Sequence, residues 1–217
     1  MCSIDYELGI LEKGLKELKT NHSETILNKF RLYLKILYSF KNRLHLLSHS
    51  DYSRISLKHF LPSLTALKFI SNEHYICDIG AGAGFPSVPV KILRPEIEFT
   101  LFESVRKRAQ FLEYLIEKLN LNGIYILNCR AEEYTDNGYE IILIRAAGKI
   151  KKLAGTVYHL LKPGGRAVFY KSPDINAELN EARREIEKYK FILHIKKIFT
   201  PVAQEALTLV FLQRQKT

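Results

Sequence analysis

An aspartate, three alternating glycines and a later glutamate are the residues of this chain best suited to hold a ligand. The stretch "YICDIGAGAGFPSVPVKILRPE", residues 75–96, runs from a β-like segment through Asp78, Gly80, Gly82 and Gly84. Such glycines admit unusual backbone angles and let a ligand approach the main chain. Glu103 closes the next β-like segment, "EFTLFE". A carboxylate at that place can accept hydrogen bonds from both hydroxyls of a ribose. The plain alternative is a solvated strand end. The spacing is D-x-G-x-G-x-G, and Phe at position 85 breaks the dinucleotide fingerprint G-x-G-x-x-G. The turn also lacks the Lys-Ser/Thr ending of a phosphate-binding P-loop. Both departures disfavour a pyrophosphate seated on the following helix.

These residues need elements that hold them. Residues 1–72 read as helices, because "LGILEKGLKELK" and "TILNKFRLYLKILYSFKNRLHLL" repeat apolar residues at three- and four-residue spacing. Asp51 and Ser53 are placed to cap a further helix through "ISLKHFLPSLTALKFI", with Pro62 bending or interrupting it. From residue 75 the pattern changes to alternating strands and helices, which argues an α/β fold with a doubly wound, mostly parallel sheet. "FILHIKKIF" and "ALTLVFLQ" have no helix between them and are expected to pair antiparallel. The expected organisation is a helical extension, 1–72, and a ligand-binding domain, 73–217. Pro86 suits the first turn of the helix after the glycines.

Composition narrows the partners. Lysine and arginine number 33 against 23 acids, a net charge of +10. Cations gain by releasing phosphate counterions, so a polyanionic partner is expected, with a merely basic surface as the alternative. No run approaches 18 apolar residues, and the N-terminus shows no signal-peptide core, so neither a membrane span nor secretion is expected. Cys2, Cys77 and Cys129 form no CxxC or zinc spacing, which points to a reducing cytoplasm and no metal.

The D-x-G-x-G-x-G turn resembles motif I of class I S-adenosylmethionine-dependent methyltransferases. That resemblance implies a turn beneath the amino acid and ribose of the cofactor. It also sets the Ala131 backbone and the Glu132 side chain, in "CRAEEY", against adenine. The fourth strand, "EIILIRAAGKI", lacks the Asn/Asp-Pro-Pro-aromatic turn common where amino groups are methylated. Cys77 and Cys129 read as small packed residues rather than nucleophiles. Methylation of guanine N7 needs neither feature. Its lone pair is free, and an in-line approach to the sulfonium methyl suffices.

More of the chain carries a closer likeness. "DIGAGAGFPSVPVKILRPEIEFTLFESVRKRAQFL", "RAEE", "RA" after the fourth strand, and "KHFLPSL" with His59 and Ser63 resemble the glucose-inhibited division protein B family. These are bacterial small-subunit (16S) ribosomal RNA guanine-N7 methyltransferases. The resemblance spans residues from about 30 to the C-terminus and is densest over 75–148. It implies a Rossmann-like class I methyltransferase sheet with an antiparallel last strand. The implied contacts to S-adenosylmethionine are Asp78, Gly80, Gly82, Phe85, Ala131, Glu132 and Arg145, with Glu103 at the ribose. Arg145 is the implied catalytic residue, joining cofactor and substrate sides, and Lys171 lies at the rim. The implied protein is a cytoplasmic monomer acting on small-subunit ribosomal RNA. Departures occur at His45-Leu46-Leu47, Pro62, Ile144 and Ala206, where the family has an arginine; they bear on RNA contacts. "SVRKR", Arg130, "KIKK" and "KYKFILHIKK" spread positive charge, and Lys107 and Arg108 open a helix against its macrodipole, as a phosphate contact would explain. Two alternatives stand beside this reading: a same-fold methyltransferase of small molecules or proteins, and a cofactor-binding ribosome or division factor without catalysis.

Overall fold

The computed structural model describes residues 3–216, and Cys2 lies outside them. Two amphipathic helices begin the chain, α1 (Ile4–Glu17) and α2 (Glu24–Phe40). The Ser3 hydroxyl caps α1 by accepting the Tyr6 N–H at 3.1 Å. Leu8, Leu11 and Leu15 of α1, and Phe30, Leu34 and Leu37 of α2, are buried together.

The segment expected as one bent helix is broken further. It runs through a 3₁₀ turn at Asp51–Ser53, a π-helical turn at Ser56–Phe60, a short helix α3 (Leu61–Leu64) and a second 3₁₀ turn at Leu67–Phe69. Pro62 has no N–H to offer the Lys58 carbonyl one turn back. The turn widens, and the Leu61 N–H donates to the Ser56 carbonyl. Glu7 of α1 fixes its start, taking the Ser56 N–H at 2.6 Å on its carboxylate and the Ser56 hydroxyl at 2.7 Å on its carbonyl.

The remaining elements are β1 (Tyr75–Ile79), α4 (Ser87–Leu93), β2 (Glu98–Phe102), α5 (Arg106–Leu119), β3 (Ile124–Leu127), β4 (Tyr139–Arg145), α6 (Ile150–Leu160), β5 (Leu161–Lys171), α7 (Asn176–Lys188), β6 (Ile192–Phe199) and β7 (Ala206–Gln213). They build a seven-stranded sheet in the order β3-β2-β1-β4-β5-β7-β6. β1 to β5 are parallel, and β7 runs antiparallel to both β5 and β6. The expected sheet, including its antiparallel last pair, is the one observed.

Side-chain alternation divides β4 between two cores. Ile141 and Leu143 join the cluster of α1, α2, α4 and α5, while Ile142 and Ile144 join that of α6 and α7. Phe30 and Phe60 share one cluster with Leu101 and Val168 of the sheet, so the N-terminal helices have their core in common with it. The strand order reverses between β1 and β4, which opens a crevice at the carboxyl ends of the strands.

Candidate active site

The turn between β1 and α4 fills one wall of that crevice. Gly80 has φ +74°, and a Cβ there would lie 2.7 Å from the Ala147 Cβ. Gly84 has φ +95°, and a Cβ there would meet the Tyr33 hydroxyl at 2.6 Å. Both positions therefore need glycine for backbone angle and for packing. Asp78 lies beneath the turn, fully buried. Its Oδ2 accepts the Ser87 N–H at 3.3 Å and so pins the start of α4, while Oδ1 has no hydrogen-bond partner among the described residues.

A cavity of about 270 Å³ opens beside the turn, and Gly80, Glu103, Ala131 and Glu132 line it together. These are four of the residues expected at the cofactor. Glu103 is buried rather than solvated. Its Oε2 accepts the Gly82 N–H at 2.9 Å and its Oε1 accepts the Val105 N–H at 2.8 Å. Each carboxylate oxygen keeps acceptor capacity beyond those bonds. Ala146, with φ +58°, carries the end of β4 into the cavity wall. This set fits the nucleoside of S-adenosylmethionine. Gly80 leaves room, Glu103 suits ribose hydroxyls, and Ala131 and Leu153 offer apolar surface to adenine.

Phe85 and Arg145 sit elsewhere. Among the described residues, neither lines the cavity. Phe85 is buried, its ring stacked 5.6 Å from Tyr33 and 4.9 Å from His59. The Arg145 Nη1 donates to the His59 carbonyl at 3.1 Å and to the Ser63 hydroxyl at 3.2 Å, and Nη2 donates to the Lys58 carbonyl. The Lys58 carbonyl is the one that Pro62 leaves without its α-helical donor. Arg145 thus fastens the cofactor wall to the π-helical turn. Lys171 is a strut as well, donating to the Gly148 carbonyl at 2.8 Å and pairing with Glu178 at 2.7 Å.

Groups suited to proton transfer or attack are few. Burial and the charge of Arg145 hold His59 down at about 4, although its Nε2 lies 3.3 Å from Asp51 Oδ2. Burial pushes both the Cys77 and Cys129 thiols up, against a nucleophilic role. Among the described residues, no three His, Cys, Asp or Glu side chains gather as a metal site, and no helix is long and apolar enough to cross a membrane.

Known proteins are similar to this chain. The family model described as rRNA small subunit methyltransferase G (GidB) matches residues 26–207. The chain belongs to this family. A ribosomal RNA small subunit methyltransferase G of Desulforamulus reducens is 34% identical over 214 residues, 95% of this chain and 89% of the relative. Its counterpart in Staphylococcus carnosus is 37% identical over 181 residues, 78% of this chain and 75% of the relative. Among solved structures, TYW2 of M. jannaschii in complex with AdoMet has a TM-score of 0.58 at 17% identity, covering 77% of this chain and 81% of its own. A SAM-dependent O-methyltransferase of Thermotoga maritima has a TM-score of 0.56 at 15% identity, covering 84% and 71%. These two likenesses show the fold.

In this rRNA small subunit methyltransferase G family member, one residue at the turn escaped the sequence reading. The buried Tyr33 of α2 donates its hydroxyl to the Ala83 carbonyl at 2.5 Å. In "FRLYLKILY" it is one apolar helix position among several, and nothing local marks it. Arg108 also differs from its expected phosphate role. It lines the cavity and donates to the His45 carbonyl at 3.1 Å, whereas Arg106 and Lys107 beside it are exposed.

Two expected results arise from the cavity. Glu103→Ala should weaken cofactor binding by about 1–3 kcal/mol, because the ribose loses a charged acceptor and Gly82 loses its tether. The fold should persist, since the freed amides open toward a cavity that water reaches. Calorimetry with S-adenosylhomocysteine checks this, and unchanged affinity would assign the ribose to another acid. The second result concerns Asp78, whose pKa burial pushes up to about 7, with Glu103 adding to the rise and Ser87 and Arg145 opposing it. Between pH 3.8 and 7 the folded chain then holds a proton that the unfolded chain releases. Stability should fall as pH rises through that window, by on the order of 3–4 kcal/mol from this residue. Asp78→Asn should remove that part of the dependence. Urea unfolding at pH 4.5 and 7.5 measures it, and identical pH slopes for both proteins would refute the assignment.

Proposed function

We propose that this chain transfers a methyl group from S-adenosylmethionine to N7 of a guanine in 16S ribosomal RNA. It acts as a cytoplasmic monomer, with residues 1–72 as a helical extension and 73–217 as the methyltransferase domain. The observation that carries the reading is the cavity joining Gly80, Glu103, Ala131 and Glu132 beneath the glycine turn, in a member of this family. When bound, the cofactor supplies an electrophilic methyl group. Glu103 holds the ribose, and the Gly80–Gly84 turn gives the rest of the cofactor room. Arg145 sets the wall that runs from β4 into the cavity, through Ala146 and Ala147. Guanine N7 has no proton to lose, so placing it in line supplies most of the catalysis. Arg106, Lys107 and Arg130 are exposed around the cavity mouth and suit RNA phosphates.

The deciding experiment incubates the protein with cofactor carrying a labelled methyl group and small subunits that lack the modification. Label at one 16S guanine is expected. Cofactor binding without label would favour a ribosome factor that does not catalyse. Label on protein or a small molecule would move the substrate outside RNA.

A further inference from the structure

A groove lies away from the cofactor cavity, between the helical segment at residues 64–71 and the strand β6. Two cavities open there, of about 550 Å³ and 290 Å³. Leu64, Lys68, Ile198 and Phe199 line the first, and Phe69, His194, Lys196 and Phe211 line the second. Neither shares a lining residue with the cofactor cavity.

Three features make this groove unlike a passive gap. Three of its cations are free: Lys19, Lys68 and Lys196 are exposed and have no ion-pair partner among the described residues, whereas Arg94 and Arg166, which also line it, pair with Glu96 and Glu73. Its acid is engaged, since Glu17 accepts the Val202 N–H at 3.0 Å. Its lip is aromatic, with Phe199 66% exposed and Lys68 5.1 Å over the ring of Phe69. β6 is the edge of the sheet, and every residue from Ile192 to Lys197 is exposed. Lysines on an edge strand commonly guard against strand addition. Guarding accounts for Lys196 and Lys197 but not for a bare phenylalanine over a cavity.

We propose that this groove holds a single-stranded segment of the ribosomal RNA, with Phe199 stacking on a base and Lys68 and Lys196 on flanking phosphates. A cationic groove bearing aromatic side chains is the usual means of holding unpaired nucleotides. The inference rests on the substrate being ribosomal RNA, as argued above. It adds a grip on nucleotides other than the one methylated, which lets recognition depend on RNA outside the reacting pocket.

The test uses the full-length protein, unmodified 16S RNA and three readouts. Phe199→Ala should weaken RNA binding roughly 5- to 100-fold, while the melting temperature and affinity for S-adenosylhomocysteine stay at wild-type values. The double variant Lys68→Ala/Lys196→Ala should lower the log–log salt slope by about 1.4, two single-strand phosphate contacts. RNA containing 4-thiouridine should crosslink under ultraviolet light to β6 or to residues 64–71. Unchanged affinity and slope, or crosslinks confined to the start of α5 and the cofactor mouth, overturn the groove. Wild-type protein that binds and crosslinks here without methylating any subunit overturns the catalytic reading and leaves the groove standing. Wild-type protein that binds no 16S RNA overturns both.

Discussion

Arg145→Ala is expected to cost about 2–5 kcal/mol of stability, more than any other single truncation at this site. The guanidinium donates to the Lys58 and His59 carbonyls and to the Ser63 hydroxyl, all inside the wall between sheet and helical segment. Truncation strands the Lys58 carbonyl where water enters poorly, at about 1–3 kcal/mol, and removes charge-assisted bonds to the His59 carbonyl and the Ser63 hydroxyl, which keep each other at 2.6 Å. It also removes the cation 5.8 Å from the Phe85 ring. Arg145→Lys should recover less than half of the loss, because an ammonium is a point donor and cannot span a fork of three acceptors. Urea unfolding with an unchanged m-value checks this. Methyl transfer per folded molecule should also fall, roughly tenfold or more, since Ala146 and Ala147 follow Arg145 into the cavity wall. Stability lost with transfer unchanged would make Arg145 a strut only.

That side chain also marks how far a one-dimensional reading reaches. The alternation of strands and helices after residue 75 is periodicity, a local property, and the observed sheet follows it. The glycine turn is legible for the same reason: positive φ and a missing Cβ leave only one residue type at Gly80 and Gly84. Glu103 could be placed because parallel strands all end on the same side, whereas Ala131 and Glu132 were implied by the family likeness alone. The side of the wall that Arg145 faces is a different matter. It depends on carbonyls 86 and 87 residues away and on Pro62 having vacated one of them. The π-helical turn has the same origin, since Glu7 holds it from 49 residues earlier. Tyr33 was hidden because a buried tyrosine and a buried leucine satisfy the same helical stripe. The family likeness supplied roles for Phe85 and Arg145 at the cofactor; their side chains lie on its supporting wall.

Replacing the target guanine by 7-deazaguanine is expected to abolish methyl transfer and leave RNA binding nearly intact. The analogue puts carbon where N7 carries its lone pair, and nothing else on the base changes shape. Guanine presents N7 and O6 together on one edge. A donor gripping both would cover the methyl acceptor, so any protein donor must use O6, the phosphates or the cofactor. The rate should therefore need no base with a pKa near 7. His59 is held down at about 4, so near neutrality its imidazole is uncharged and too weak a base to fill that role. Asp78 titrates near 7 but is sealed beneath the turn, engaged with the Ser87 amide, and reaches stability rather than the reacting base. Above neutral pH the rate should stay flat until protein or RNA fails, and Asp78→Asn should keep that profile. Single-turnover rates on subunits reconstituted with the analogue measure the first result, and a pH series on natural subunits the second. Continued methylation of the 7-deaza nucleotide would exclude N7 as the acceptor and move the reaction to an exocyclic or ribose atom. That chemistry requires a proton to leave, and a rate rising with pH would have to accompany it.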